Sequence, residues 1–137
     1  MTKHVVAAAA DVPPGERLRV DVTGTPVAIF NLNGEYFGLM DRCPHMGGSL
    51  CEGRLIGLVE SEGPGRYKYS RGGEIVRCPW HGWEFDIRTG KSRFDPQRWK
   101  TRAYAFDVAK GEEVVEQAYE AETVDVTVED EYIIVDI

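Results

Sequence analysis

The sequence predicts an all-β protein, and three observations carry that prediction. Apolar and polar residues alternate at a period of two in several short runs, the repeat of a half-buried strand. Turn dipeptides punctuate those runs at close intervals. No long amphipathic stretch interrupts them, since residues 112–121 allow at most one short helix. A chain of 137 residues suits a single domain, one that buries about two-thirds of the surface it exposes when unfolded.

The elements follow in chain order. Residues 5–10 are apolar and come after Lys3 and His4, which superficially resembles a secretion signal. A run of six falls short of the usual ~7–15, so it is assigned to the first strand. Pro13-Pro14-Gly15 makes a turn. Leu18, Val20 and Val22 then alternate with Arg17, Arg19 and Asp21, and Thr23-Gly24 closes that strand. Residues 27–32 and 35–40 flank Asn33-Gly34, the strongest short hairpin signal. Farther on, 83–87 and a strand after Lys91 flank a turn at Arg88-Thr89-Gly90. Tyr104, Phe106 and Val108 alternate with Ala105 and Asp107. A strand through Val124, Val126 and Val128 leads by a turn at 129–131 into a last strand at 132–137. Between these halves, 55–74 reads as an extended hairpin around Gly63-Pro64-Gly65. Arg66-Tyr67-Lys68-Tyr69 interleaves base and aromatic as a stacking platform for single-stranded nucleic acid would. One strand with both tyrosines on one face and Lys68 on the other is the simpler account.

Two short clusters hold the metal-ligand chemistry: Cys43-Pro44-His45-Met46-Gly47-Gly48 and Cys78-Pro79-Trp80-His81-Gly82-Trp83. Each offers one thiolate and one imidazole, as C-x-H and then C-x-x-H. Pro44 and Pro79 restrict the chain beside each cysteine, while Gly47, Gly48 and Gly82 let it turn after each histidine. Loops of this kind aim backbone N–H groups at a bound anion. Two sulfur and two nitrogen donors are also the set of a structural zinc site. Zinc-finger spacings pair Cys with Cys and His with His, however, and here each loop offers one of each.

The flanking context, CPH followed by Gly47-Gly48 and then CPWHGWEF, resembles the Rieske iron–sulfur family over about residues 28–108. The resemblance implies one [2Fe–2S] cluster per chain, with Cys43 and Cys78 on one iron and His45 and His81 on the other, more exposed iron. It implies a single domain over 1–137. A β-sandwich or barrel base, from 1–40 and 90–137, would carry an inserted cluster-binding subdomain at 41–89, extended by the hairpin at 55–74. Pro96, within Phe94-Asp95-Pro96-Gln97, stands where the family has a third, proline-bearing loop that shields the cluster. Respiratory-chain members carry a further cysteine in each loop and join the two in a disulfide. Here that first position is Gly48, and no cysteine lies between Cys78 and His81. High-potential members also place a serine, whose hydroxyl bonds a cluster sulfur, where this chain has Trp83. Both absences point to the ferredoxin and oxygenase branch.

Several function classes are excluded by counting. A net charge of −7 leaves no basic excess to neutralise phosphates, so nucleic acid is not an expected partner. No apolar run approaches the ~20 residues that cross a bilayer, so no membrane is expected. Three histidines, two of them already assigned, cannot also build a two-histidine, one-carboxylate iron site. Gly63-x-Gly65 lacks the strand–turn–helix setting of a nucleotide fingerprint. The resemblance therefore implies an electron-transfer component rather than an enzyme: a soluble carrier of single electrons from a flavin-containing reductase to an oxygenase or similar acceptor. A fixed subunit of a larger oxidoreductase complex and a redox sensor are the alternatives. Cys51 is expected to be a small buried or semi-buried thiol, with a ligand or redox-sensing role as the alternative. With both other cysteines assigned to metal, no intramolecular disulfide is expected, which suits a reducing cytoplasm. His4 is incidental.

Charge is unevenly spread. From Gly111 onward there are ten acidic residues and no Lys or Arg, so the preceding chain is net +3. Arg88, Lys91, Arg93, Arg98, Lys100 and Arg102 follow the second ligand loop, an arrangement that would orient the molecule towards an acidic partner. Neutral imidazole ligands make a cluster less negative than four thiolates do, and Rieske centres span roughly −150 to +300 mV. With Trp83 in place of a donating serine, the reduced, more negative state gains less stabilisation. Protein-film voltammetry is expected to place this chain in the lower half of that range, and a potential near the top contradicts the branch assignment.

Overall fold

The computed structural model describes the chain except residues 1, 2, 45, 46, 80, 81, 118, 122, 123 and 125, and except the side chains of Leu58, Val59, Glu60 and Glu62. Nine strands dominate it: β1 (Lys3–Ala8), β2 (Arg17–Val22), β3 (Thr25–Leu32), β4 (Glu35–Met40), β5 (Arg54–Gly63), β6 (Arg66–Arg77), β7 (Glu84–Asp86), β8 (Ala103–Lys110) and β9 (Glu131–Asp136). One short helix, α1 (Gly111–Glu116), follows β8. A six-stranded sheet runs β1-β9-β8-β4-β3-β2, and a three-stranded sheet runs β5-β6-β7. The fold is all-β.

Local chemistry fixes the first hairpins. Asn33 and Gly34 both adopt positive φ, 55° and 95°, which is the primed turn whose twist matches its flanking strands. Thr23 and Gly24 do the same at 49° and 88°. Asn31 is buried, and its side-chain oxygen accepts the Gly34 N–H at 2.7 Å while its amide donates to the Val12 carbonyl at 2.8 Å. One side chain thus locks the hairpin turn to the segment that precedes β2. Along β3 the two faces bury different partners. Ala28, Phe30 and Leu32 join the apolar cluster that contains Cys43 and Cys78, whereas Val27 and Ile29 join a second cluster with Tyr104, Ile133 and Val135. β3 is the wall between the two cores.

The 55–74 segment forms the paired strands β5 and β6. Ile56 pairs with Ile75 and Leu58 with Ser70, so Gly57 alone faces residues 71–74. That bulge bends the hairpin, and Arg71 and Gly73 take it up at φ 53° and 78°. Arg71 is pinned there by a bidentate pair to Asp86 at 2.8 and 2.9 Å and a bond to Glu74 at 3.0 Å. Arg88 also donates to Glu74, at 2.8 Å, and its hydrogen bond, then that from Arg71, holds the Glu74 carboxyl below its ordinary range. Beyond the bulge, Tyr67 and Tyr69 stand exposed.

Two expected strands are replaced by other structure. After Lys91 only isolated bridges form, Phe85 with Ser92 and Lys91 with Lys100. The N–H groups of Arg98 and Trp99 instead bond the Asp95 carbonyl, at 3.1 and 2.9 Å, and close a loop. Val124, Val126 and Val128 likewise make no strand among the described residues. The Thr127 N–H donates to the Tyr132 hydroxyl at 2.7 Å, a side chain taking the place of a ladder partner, and Val128 is exposed. The alternation there was real, since Val124 and Val126 pack against a third cluster around Val114 and Tyr132. It served packing without pairing. The first strand, expected in the N-terminal segment with His4 inside it, runs Lys3–Ala8; its ladder with β9 ends at Ala8, so the apolar residues Ala9 and Ala10 fall outside it.

Candidate metal centre

The first ligand loop leaves β4 and is tied down at both ends. Asp41 is the anchor, with a fully buried side chain. Its Oδ1 accepts the Cys51 N–H at 2.7 Å. Its Oδ2 accepts the Ser49 hydroxyl and the Arg19 Nε–H, both at 2.7 Å. One carboxylate therefore bonds the far end of the loop and, through Arg19, strand β2, which lies beyond β3 in the sheet. Arg17 on the same strand donates to the Gly53 carbonyl. The Thr101 hydroxyl lies within hydrogen-bonding distance of the Met40 and Arg42 carbonyls, at 3.1 and 3.3 Å. Inside this frame the loop closes on itself: the Gly47 N–H donates to the Cys43 carbonyl at 2.7 Å, and the Cys43 N–H to the Gly48 carbonyl at 2.8 Å. Gly47 takes φ 81°, which a side chain would resist.

The second loop leaves β6 and closes the same way, the Cys78 N–H donating to the Trp83 carbonyl at 2.6 Å, with Gly82 at φ 72°. Glu84 braces its exit by accepting from Arg77 at 2.9 Å and Arg93 at 2.7 Å. Burial alone would raise the Glu84 pKa, yet those two guanidinium bonds hold the carboxyl below its ordinary range. The Trp83 ring meets Phe94 and Trp99 edge-on, at centroid distances of 5.5 and 5.2 Å. The loop carrying Pro96 is thus packed on the second ligand loop through the residues either side of it, and Pro96 itself is exposed.

Cys43 and Cys78 are each about 1% exposed, belong to one apolar cluster and take part in no disulfide. A thiolate is costly in such surroundings unless a cation neutralises it, and soft sulfur donors favour iron–sulfur clusters and zinc. The two cysteines fit a thiolate-held metal group on that ground. His45 and His81 lie outside the described residues, as do Met46 and Trp80. Among the described residues no set of three or more Cys, His, Asp or Glu converges on a metal position. Cys51 is half-buried against the same cluster, and burial, then the charge of Asp41, pushes its thiol pKa up. A raised thiol pKa leaves less of the nucleophilic thiolate at neutral pH, which argues against a poised thiol.

Asp41 was not singled out from the sequence. The available signal was a short acidic residue at a strand exit, followed by a loop whose N–H groups need acceptors. Asp41→Ala leaves the Cys51 N–H and the Ser49 hydroxyl without their acceptor and frees Arg19. Chemical denaturation should show a loss of about 2–4 kcal/mol, with iron content falling in parallel. Unchanged stability and iron content would contradict the anchoring role.

The profile of the Rieske [2Fe–2S] domain matches residues 2–105. The biphenyl dioxygenase ferredoxin subunit of Pseudomonas sp. is 35% identical over 96 residues, covering 70% of this chain and 74% of that protein. The 3-phenylpropionate/cinnamic acid dioxygenase ferredoxin subunit of Escherichia coli is 32% identical over 112 residues, covering 82% of this chain and 91% of that protein. In three dimensions a ferredoxin of Sphingomonas yanoikuyae superposes with a TM-score of 0.62 at 24% identity, covering 99% of each chain. A structure described as a complex of reduced oxygenase and oxidized ferredoxin in carbazole 1,9a-dioxygenase also matches. Its TM-score is 0.59 at 22% identity, covering 96% of this chain and 91% of that one. With two buried thiols on paired glycine loops, an all-β frame, and curated relatives above 30% identity, the chain belongs to the Rieske [2Fe–2S] family, and its cofactor is a Rieske-type [2Fe–2S] cluster.

Proposed function

We propose that Cys43, His45, Cys78 and His81 hold the cluster, and that the chain carries single electrons in the cytoplasm from a flavin-containing reductase to an oxygenase-type acceptor. The observation that supports this most is the burial of Cys43 and Cys78 in one apolar cluster, each on a loop closed by its own backbone hydrogen bonds. When bound, the cluster supplies a centre that takes up and releases one electron. The protein's part is to position it, to keep water from the sulfurs and to leave one edge accessible. The curated relatives are ferredoxin subunits of dioxygenases, and the carbazole system pairs such a ferredoxin with its oxygenase. Among the described residues no helix is long and apolar enough to cross a membrane.

The division of labour follows the two sheets. We assign residues 1–40 and 90–137 to a base and 41–89 to an inserted cluster-binding subdomain. The Pro96 loop is a lid on the second ligand loop, held by Phe94 and Trp99 against Trp83.

Anaerobically purified protein should contain two irons and two acid-labile sulfides per chain. Cys43→Ser, His45→Ala, Cys78→Ser and His81→Ala should each lose most of both, while Cys51→Ser keeps them. Colourless protein with one zinc and no labile sulfide contradicts the proposal, as does cluster loss in Cys51→Ser with retention in the other four.

A further inference from the structure

The loop between Ser92 and Thr101 touches both ligand loops. Phe94 and Trp99 pack on Trp83 of the second. Lys100 lines a groove against the first, together with Arg42, Cys43, Pro44, Gly47 and Arg102. Arg42 lies along that loop, its Nε 3.5 Å from the point that a Cβ on Gly47 would occupy. The cations on the two sides differ in kind. Arg77 and Arg93, beside the second loop, share Glu84, and Arg88 is engaged by Glu74 and Glu35. Arg42, Lys100 and Arg102 are all exposed, and none of the three pairs with a carboxylate among the described residues. These three keep their charge available to a partner, and so does Arg98 on the same loop as Lys100, whose guanidinium lies over the Trp99 ring and makes no carboxylate pair among the described residues.

An apolar feature lies next to them. Phe94 is 67% exposed, although its ring edge rests on Trp83, and it opens onto a hollow with Gly82 and Trp83. A large aromatic held rigid from below and exposed above is the kind of residue that anchors protein interfaces, with a charged rim around it.

The rest of the molecule orients this face. Strand β8 begins directly after Arg102 and ends at Lys110, before the acidic helix α1 with Glu112, Glu113 and Glu116. Eight extended residues span about 24 Å, so the positive edge and the start of the acidic segment lie farther apart than the Debye length of ~10 Å at 0.1 M salt. A partner approaching the ligand loops meets the local cations first, although the whole chain carries −7.

We infer that the face formed by Arg42, Lys100, Arg102 and Phe94 is the docking surface for a redox protein whose own electron-exit site is ringed by carboxylates around an apolar hollow. This rests on the electron-carrier reading above and adds to it the face used and the charge of the partner.

The test uses the holoprotein and, as probe, an acidic flavodoxin in its anionic hydroquinone form. One electron passes from the hydroquinone to the oxidised cluster, leaving the neutral flavin semiquinone, and no proton moves. Stopped-flow rate constants should fall tenfold or more as salt rises from low ionic strength to 0.5 M. The variant Arg42→Gln/Lys100→Gln/Arg102→Gln should keep the cluster spectrum, react about tenfold more slowly at low salt and lose most of the salt dependence. Phe94→Ala should be severalfold slower at every salt concentration. A rate that rises with salt, as two net-negative proteins repelling each other would give, overturns the inference. So does wild-type behaviour in the triple variant or in Phe94→Ala. A protein that holds no Rieske cluster overturns the carrier reading and this inference together, whereas a normal cluster spectrum with the wrong salt dependence overturns the docking face alone.

Discussion

The structure depends on keeping two thiols out of water. Cys43 and Cys78 sit among Phe30, Leu39, Leu50, Val76, Phe85 and Ile87, side chains that offer a thiolate no hydrogen bond. An ionised sulfur in such a place costs several kcal/mol unless a cation shares it. A Rieske-type cluster held by these two cysteines would supply that charge, so the same apolar packing that would destabilise a bare thiolate would suit it. The two sheets, the wall made by β3 and the closed glycine loops all serve to bring those sulfurs into one dry compartment.

Dryness alone does not set geometry. Around the first loop the placing is done by Asp41, which collects Arg19, Ser49 and the Cys51 N–H, with Arg17 and Thr101 tying down the adjoining backbone. Around the second it is done by the Arg77–Glu84–Arg93 brace and by Trp83 wedged against Phe94 and Trp99. The loops differ in their outward face as a result. Guanidinium groups that brace the second loop have spent their charge on Glu84; beside the first, Arg19 is likewise spent on Asp41, but Arg42 and Arg102 make no carboxylate pair among the described residues. Net charge is therefore a poor guide to what a partner meets at the site.

Much of this was legible in the residues. Asn33-Gly34 announced its hairpin because two consecutive positive φ values suit that pair better than any other, and the alternation of Leu18, Val20 and Val22 gave β2 its inward face. The closed turns after Cys43 and Cys78 were legible for a different reason: proline and glycine beside each cysteine restrict the chain and then let it turn back on itself. What was not legible depended on partners distant in sequence. Val124 and Val126 alternate as a strand would, yet the nearest acceptor for the Thr127 N–H is the Tyr132 hydroxyl, which no periodicity reveals. The strand expected after Lys91 lost to the Asp95 carbonyl, a local loop closure with a positive φ at Asp95. Asp41 was invisible because its three partners lie 8, 10 and 22 residues away. The pairing of Arg77 and Arg93 through Glu84 was equally hidden, and a count of basic residues after the second loop overstated the free charge there.

The central claim is an asymmetric ligand set, sulfur on one iron and imidazole on the other. Electron–nuclear double resonance on the reduced protein, grown with nitrogen-15 in its histidines, tests that most directly. Two inequivalent histidine nitrogens strongly coupled to the reduced cluster are predicted, one vanishing with each of His45→Ala and His81→Ala if residual cluster survives. A paramagnetic cluster with no coupled histidine nitrogen would contradict the account.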